Sequence, residues 1–123
     1  MRVIKFRAWH KERAAMYRVA GSLIDVIMLH VGDDALETVG FSDSELMQFT
    51  GLVDKTGREI YEGDIVKRYT SHIFVVKWNT DFCGFQPFCE YRNDYGLPDA
   101  AESSSLTEVL GNIYEHPHLL ETR

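Results

Sequence analysis

Four acids, Asp54, Glu59, Glu62 and Asp64, stand close together in the middle of the chain, and carboxylate oxygens are what hard cations such as Mg²⁺ and Ca²⁺ require. Their spacings of five, three and two residues spread them over two turns, and no metal-binding loop signature matches them. They stand as metal candidates against a structural use, in which Asp54 and Asp64 cap turns while Glu59 and Glu62 face solvent. The structural use is the expectation adopted here, with no cofactor. His116-Pro117-His118, beside Glu115 and Glu121, has an H-x-H spacing but offers two nitrogens where a metal site takes three or four ligands. His10, His30 and His72 are scattered and read as surface or core fillers. Ser103-Ser104-Ser105 fall in a polar loop without a nucleophile-elbow pattern, and neither cysteine has a histidine near it in sequence. No catalytic residue is assigned.

Cys83 and Cys89 flank Gly-Phe-Gln-Pro-Phe. Along an extended strand six positions span roughly 20 Å, too far for a disulfide, although a turn at Gly84 or Pro87 brings them together. They are expected to be reduced thiols that pack as small residues.

The acids are interleaved with Gly51, Gly57 and Gly63, six residues apart. A phosphate cradle needs G-x-G-x-x-G or a P-loop before a helix, and three units without a shared aliphatic position do not make a solenoid. Asp54-Lys55-Thr56-Gly57 instead has the Asp and Gly of a type I turn, and Glu62-Gly63-Asp64 is a second turn. Gly51 is expected to end the strand before them. Gly51, Asp54, Gly57, Gly63 and Asp64 are thus turn-forming residues.

The elements that carry these turns read as short strands. Ile4, Phe6 and Ala8 alternate with Val3, Lys5, Arg7 and Trp9, a period of two. His10–Met16 is a polar connection, and SLIDVIMLHV is a strand with Leu23, Asp25, Ile27 and Leu29 on one face. Residues 33 to 37 suggest the start of a helix, and Ser42 to Glu45 a capping box; 46 to 50 is a strand. Further strands follow at 65–69, 72–78 and 82–91, the last broken near Gly84 and Pro87, with a turn at 79–81. Residues 93 to 105 are a loop, 106–114 a strand interrupted by Gly111, and Pro117 opens a helical turn. Aromatics on these strands are mainly core, whereas Tyr91 and Tyr95, beside the polar loop, are expected to be exposed.

The 123 residues, 45 % apolar, fit one domain or two small subdomains. No apolar run reaches the roughly 20 residues of a membrane span, and the N-terminus does not read as a signal peptide, so a cytoplasmic location is expected. Net charge is −6. Residues 1 to 18 hold six bases against Glu12, and residues 19 to 48 hold six acids and no base. An acidic protein is a poor generic phosphate binder. Lys5 and Arg7, on the first strand, are the candidates for nucleic-acid contact, but the bases are expected to pair with the acidic segment. Charges split in this way also suit association between copies.

Residues 46 to 67, with the pattern LMQ-[aromatic]-TGL-x-D-K-x-G-x-E-IYEGDIV, resemble the YopX-like family of phage and prophage proteins. IKFRAW (4–9) is similar to that family's opening signature, and VLGNIYEHPHLL (109–120) to its closing GNIYE-x-P-x-LL. The family usually has an acid after the tryptophan, where this chain has His10. The resemblance implies a mainly β fold with some α, a small SH3-type barrel at 51–123 and a β-rich N-terminal subdomain at 1–50. It implies a bacterial cytoplasm, a prophage or mobile element, and a tendency to self-associate. It carries no catalytic residue with it. The expected function is a non-enzymatic accessory module that forms homo-oligomers and binds a phage or host macromolecule. The alternatives are nucleic-acid binding through the N-terminal strand and, less favoured, a metal-dependent enzyme.

Overall fold

The structure, a computed structural model, describes residues 3–68, 72–97 and 99–120. The chain is mainly β and divides into two compact units, residues 1–48 and 49–123.

The first unit is built from β1 (Phe6–His10), β2 (Ala15–Ser22), β3 (Val26–His30), β4 (Leu36–Gly40) and the first half of β5 (Ser44–Val53). They form an antiparallel sheet in the order β4-β3-β2-β1-β5. Ala8, Ile27, Leu29 and Val39 make its core, with Tyr17, Val19 and Val31 against them. In a flat sheet β4 and β5 would lie four strand spacings apart, about 19 Å. Only a 3-10 turn at Phe41–Asp43 joins them, and the four steps from Gly40 to Ser44 reach no more than about 15 Å. The sheet is therefore curled, which is how a single sheet encloses a core.

Several local expectations are corrected here. SLIDVIMLHV is not one strand: a turn at 23–25, closed by Leu23 N–H to the Val26 carbonyl at 2.8 Å, divides it between β2 and β3. Ile27 and Leu29 do share the buried face, but Leu23 and Asp25 lie in the turn. Residues 15–22, placed partly in a polar connection, form β2, because pairing with both β1 and β3 satisfies their backbone. Residues 36–40 form a strand against β3 instead of a helix. The Ser42–Glu45 box does not cap a helix, since the 3-10 turn ends at Asp43 and the Ser44 hydroxyl donates to the Gly40 carbonyl.

In the second unit β5 continues to Val53 and pairs with β6 (Glu59–Tyr61). Gly51 does not end the strand; it sits inside it at φ +86, where the register shifts. β7 (Asp64–Arg68) is the middle of a three-stranded sheet, with β8 (His72–Val75) and β11 (Thr107–Asn112) beside it. β9 (Lys77–Asn79) and β10 (Gly84–Gln86) form a separate hairpin. The stretch 72–78 breaks at Val76, whose N–H donates to the Asp64 carbonyl and whose carbonyl accepts from Gly63. The 93–105 segment is not all loop: Ala100–Ser105 is helix α1, capped by Asp99, whose carboxylate accepts from Glu102 N–H at 2.9 Å. A 3-10 turn at Pro117–Leu120 follows β11. Ile60, Val66, Val76, Phe85, Phe88 and Val109 form the core, each burial contributing roughly 1.5–3 kcal/mol. Among the described residues these sheets do not close into a barrel.

Gly57 and Gly111 test two different uses of glycine. Gly57 has φ +88 in open space, whereas a Cβ on Gly111 would lie 2.4 Å from His116 Nδ1. Gly57→Ala should cost about 1–2 kcal/mol from left-handed backbone alone. Gly111→Ala should cost at least as much, roughly 1–3 kcal/mol from overpacking, and displace the His116 ring. Urea midpoints, with histidine NMR shifts as the local readout, check both.

Candidate functional site: the central acidic motif

Asp54 lies at the end of β5, nearly buried at 4 % exposure. Its Oδ1 accepts from Thr56 N–H at 2.9 Å, Thr56 Oγ1 at 2.7 Å and Arg58 N–H at 2.9 Å. Its Oδ2 accepts from Val109 N–H at 2.9 Å, across 55 positions of sequence. The backbone follows the same plan: Gly57 N–H donates to the Asp54 carbonyl, closing the turn, and Lys55 N–H donates to the Thr107 carbonyl. One side chain thus fastens the turn to itself and to β11. Burial pushes the Asp54 carboxyl up, but the bonds from Val109, Thr56 and Arg58 outweigh it and hold it below the usual value of 3.8. Four donors take up about all the lone-pair sites a carboxylate has, and their N–H dipoles present positive charge where a cation would have to sit.

Asp64 opens β7 at 1 % exposure, and its Oδ2 accepts from Tyr61 N–H at 2.8 Å. Gly63, at φ +83, donates to the Val76 carbonyl and accepts from Ile113 N–H. This second turn is held from two sides, by the chain after β8 and the chain after β11. A side chain at Gly63 would have to adopt a backbone conformation that L-residues rarely take. Glu59 is exposed and Glu62 half-buried. Among the described residues no three of His, Cys, Asp and Glu gather as a metal site.

The other candidates are dispersed. Lys5 and Arg7 are half-buried; Arg7 lies opposite Arg18 in the β1–β2 ladder. Arg13 and Glu37 form a two-bond ion pair, one bond of 2.8 Å, and Lys11 lies 3.4 Å from Glu45. Bases of residues 1–18 do meet the acids that follow them, and the bond from Arg13 holds the Glu37 carboxyl below its usual range. Ser103 and Ser104 are buried in α1, not in a loop, and Ser103 accepts from the Arg68 guanidinium. Tyr95 is exposed, but Tyr91 is half-buried with the Arg68 guanidinium 4.9 Å from its ring centre. Cys83 is an exposed free thiol and Cys89 a half-buried one, whose pKa burial pushes up.

Sequence reasoning passed over Asn112. Its Oδ1 accepts from Tyr114 and Glu115 N–H, and its Nδ2 donates to Glu115. Its own N–H donates to His116 Nδ1 at 3.3 Å, so the H-x-H segment braces a turn. An Asn just before a turn is the signal that marks this role, since its side chain bonds the backbone two residues on.

The geometry defines a class: a β-rich protein in which the two buried acids of the central motif, Asp54 and Asp64, accept backbone N–H bonds. The chain belongs to the YopX protein family, whose model matches residues 5–121. A crystal structure of protein EF1440 from Enterococcus faecalis is similar, with a TM-score of 0.63 and 23 % identity. The alignment covers 98 % of this chain and 99 % of that one, which shows the fold. Among curated proteins none matches.

Because the folded Asp54 pKa is depressed, its contribution to stability is present above the unfolded value and lost as pH falls. Stability should drop below about pH 4 as this carboxylate is protonated. Asp54→Asn, which replaces an acceptor by a donor facing N–H groups, should cost about 1.5–3 kcal/mol at neutral pH and flatten that acid limb. Urea unfolding between pH 2.5 and 7 measures both; an unchanged acid limb in the variant sinks the assignment.

Proposed function

We propose that this protein is a non-enzymatic accessory module of phage or prophage origin, working in a bacterial cytoplasm, that self-associates and binds a phage or host macromolecule. The observation that carries the reading is apolar surface on the first unit. Phe41 and Leu46, 46 % and 43 % exposed, line a groove with Phe6, Val19 and Ile27, and Ile24 at the β2–β3 turn is 99 % exposed. Exposed apolar groups gathered in this way mark association sites. The occupant proposed is a second copy: the apolar turn at Leu23 and Ile24 and the apolar groove belong to the same curled sheet, the adjacency that a two-fold pairing uses reciprocally. The reading keeps an SH3-type arrangement for residues 51–123, supported by the meeting of the β11-β7-β8 sheet and the β9–β10 hairpin around one core.

Light scattering on a sizing column should give dimers or larger species at micromolar concentrations. Ile24→Lys, at a position too exposed to affect folding, should shift the protein toward monomer with an unchanged melting temperature. A monomer at every concentration removes the self-association.

Nucleic-acid binding is the second reading, favoured by one observation, the placement of Arg7 opposite Arg18 across the β1–β2 ladder, with Lys5 just before β1 rather than within it. It requires affinity that weakens steeply with salt and is lost in Lys5→Glu/Arg7→Glu. Fluorescence anisotropy with labelled single and double strands at low salt tests this, and no binding there ends it.

A further inference from the structure

Cys83 and Cys89 lie on the two limbs of a fold-back. β10 leads away from the turn at 80–83, and Pro87 with the 3-10 turn Phe88–Glu90 returns the chain. A Cβ built on Gly84 would lie 2.7 Å from the Cys89 Cβ and 3.8 Å from its Sγ. Cys89 therefore rests on the Gly84 backbone, in room left by the missing side chain. Cys83 is the next residue, one Cα step of about 3.8 Å away, so its Cα lies within about 8 Å of the Cys89 Cβ. The span of roughly 20 Å expected of an extended segment is gone.

A disulfide requires a Cα separation of about 4.4–6.8 Å. What remains to be closed falls on the exposed 80–83 turn, where Cys83 has φ +51 and its Sγ rests 3.5 Å from the Thr80 carbonyl. Closure calls for release of that weak contact and an adjustment of the exposed turn's backbone together with the Cys83 side chain. Accessibility orders the two thiols: Cys83 is exposed and meets a solute oxidant first, while Cys89 is half-buried behind it.

We propose that Cys83 and Cys89 form a dithiol site that a peroxide-class oxidant closes into an intrachain disulfide, joining the β9–β10 turn to the 3-10 turn after β10. The Cys83 sulfur attacks one peroxide oxygen, the O–O bond breaks, one water leaves, and Cys83 becomes a sulfenic acid. The Cys89 sulfur attacks that sulfur, the S–O bond breaks, and the hydroxyl departs as a second water with the Cys89 proton. Two thiols lose two electrons and two protons, and one hydrogen peroxide becomes two waters. A dithiol reductant reverses the step by exchange. The bond closes a ring over Phe85, a core residue whose ring meets exposed Trp78 edge-on at 5.1 Å. The inference goes beyond the binding-module reading and does not depend on it.

The test uses the full chain, fully reduced, then treated with equimolar hydrogen peroxide. The expected result is a thiol titre falling from two to zero, a mass lower by two hydrogen atoms, a Cys83–Cys89 linked peptide in a non-reduced digest, and full recovery with dithiothreitol. Cys83→Ser, at an exposed turn position that leaves the fold intact, should keep its remaining thiol titratable under the same treatment. Two outcomes overturn the proposal: Cys89 staying titratable while Cys83 stops at the sulfenic acid, or disulfides that only link two chains. The peptide map of the unsubstituted protein decides between these outcomes even if a Cys89→Ser variant fails to fold.

Discussion

A single carboxylate organises the second unit. Asp54 has two oxygens and uses them in two directions, one inward to its own turn and one outward to β11. The turn has no regular ladder of its own to satisfy Thr56 and Arg58, and Val109 sits where the β7–β11 register shifts before Gly111. Both places expose backbone donors that a β ladder leaves over. A buried N–H without an acceptor costs about 1–3 kcal/mol, so a charged acceptor placed between two such defects removes several penalties at once. That arithmetic explains why the residue is an acid, in a position where its burial alone would favour the neutral form.

The second turn repeats the solution with backbone in place of side chain. Gly63 hands its N–H to Val76 and its carbonyl to Ile113, and Asp64 bonds Tyr61 behind it. The most distinctive part of the sequence is therefore a pair of corners into which β11 and the chain after β8 are plugged. A motif this dense in charge and glycine invites a catalytic or metal-binding reading. Its geometry commits Asp54 and Asp64 to hydrogen bonds that hold the two corners, and the reading proposed here looks for function on the surfaces those corners hold in place.

The turns were legible because their chemistry is local. Asp and Gly at the first and fourth positions state the 54–57 turn, Pro117 states the closing 3-10 turn, and the alternation of Phe6 and Ala8 with Lys5 and Arg7 states β1. What escaped was set by partners distant in sequence. AMYRVAGS becomes β2 only because β1 and β3 flank it, and nothing in Leu23-Ile24-Asp25 announces a turn, as it lacks Gly, Pro and Asn. AAESSS is polar enough to read as loop, yet Ser103 and Ser104 are buried, with Ser103 held by Arg68 and by Thr107, whose hydroxyl donates to its carbonyl. Asp54 and Asp64 could be placed at turns from sequence; the donor from residue 109 that completes Asp54 could not.

The short link between β4 and β5 has one more effect. A sheet that must bend to meet its own next strand cannot lie flat, and flat open edges are what stray strands from other molecules attach to. β4 carries Leu36 and Thr38 outward on that edge, with Glu37 anchored to Arg13. Three residues of 3-10 turn thus serve as a length gauge: while they stay short, the outermost strand is drawn round with the sheet, and added slack there would offer Leu36–Gly40 as a template for aggregation.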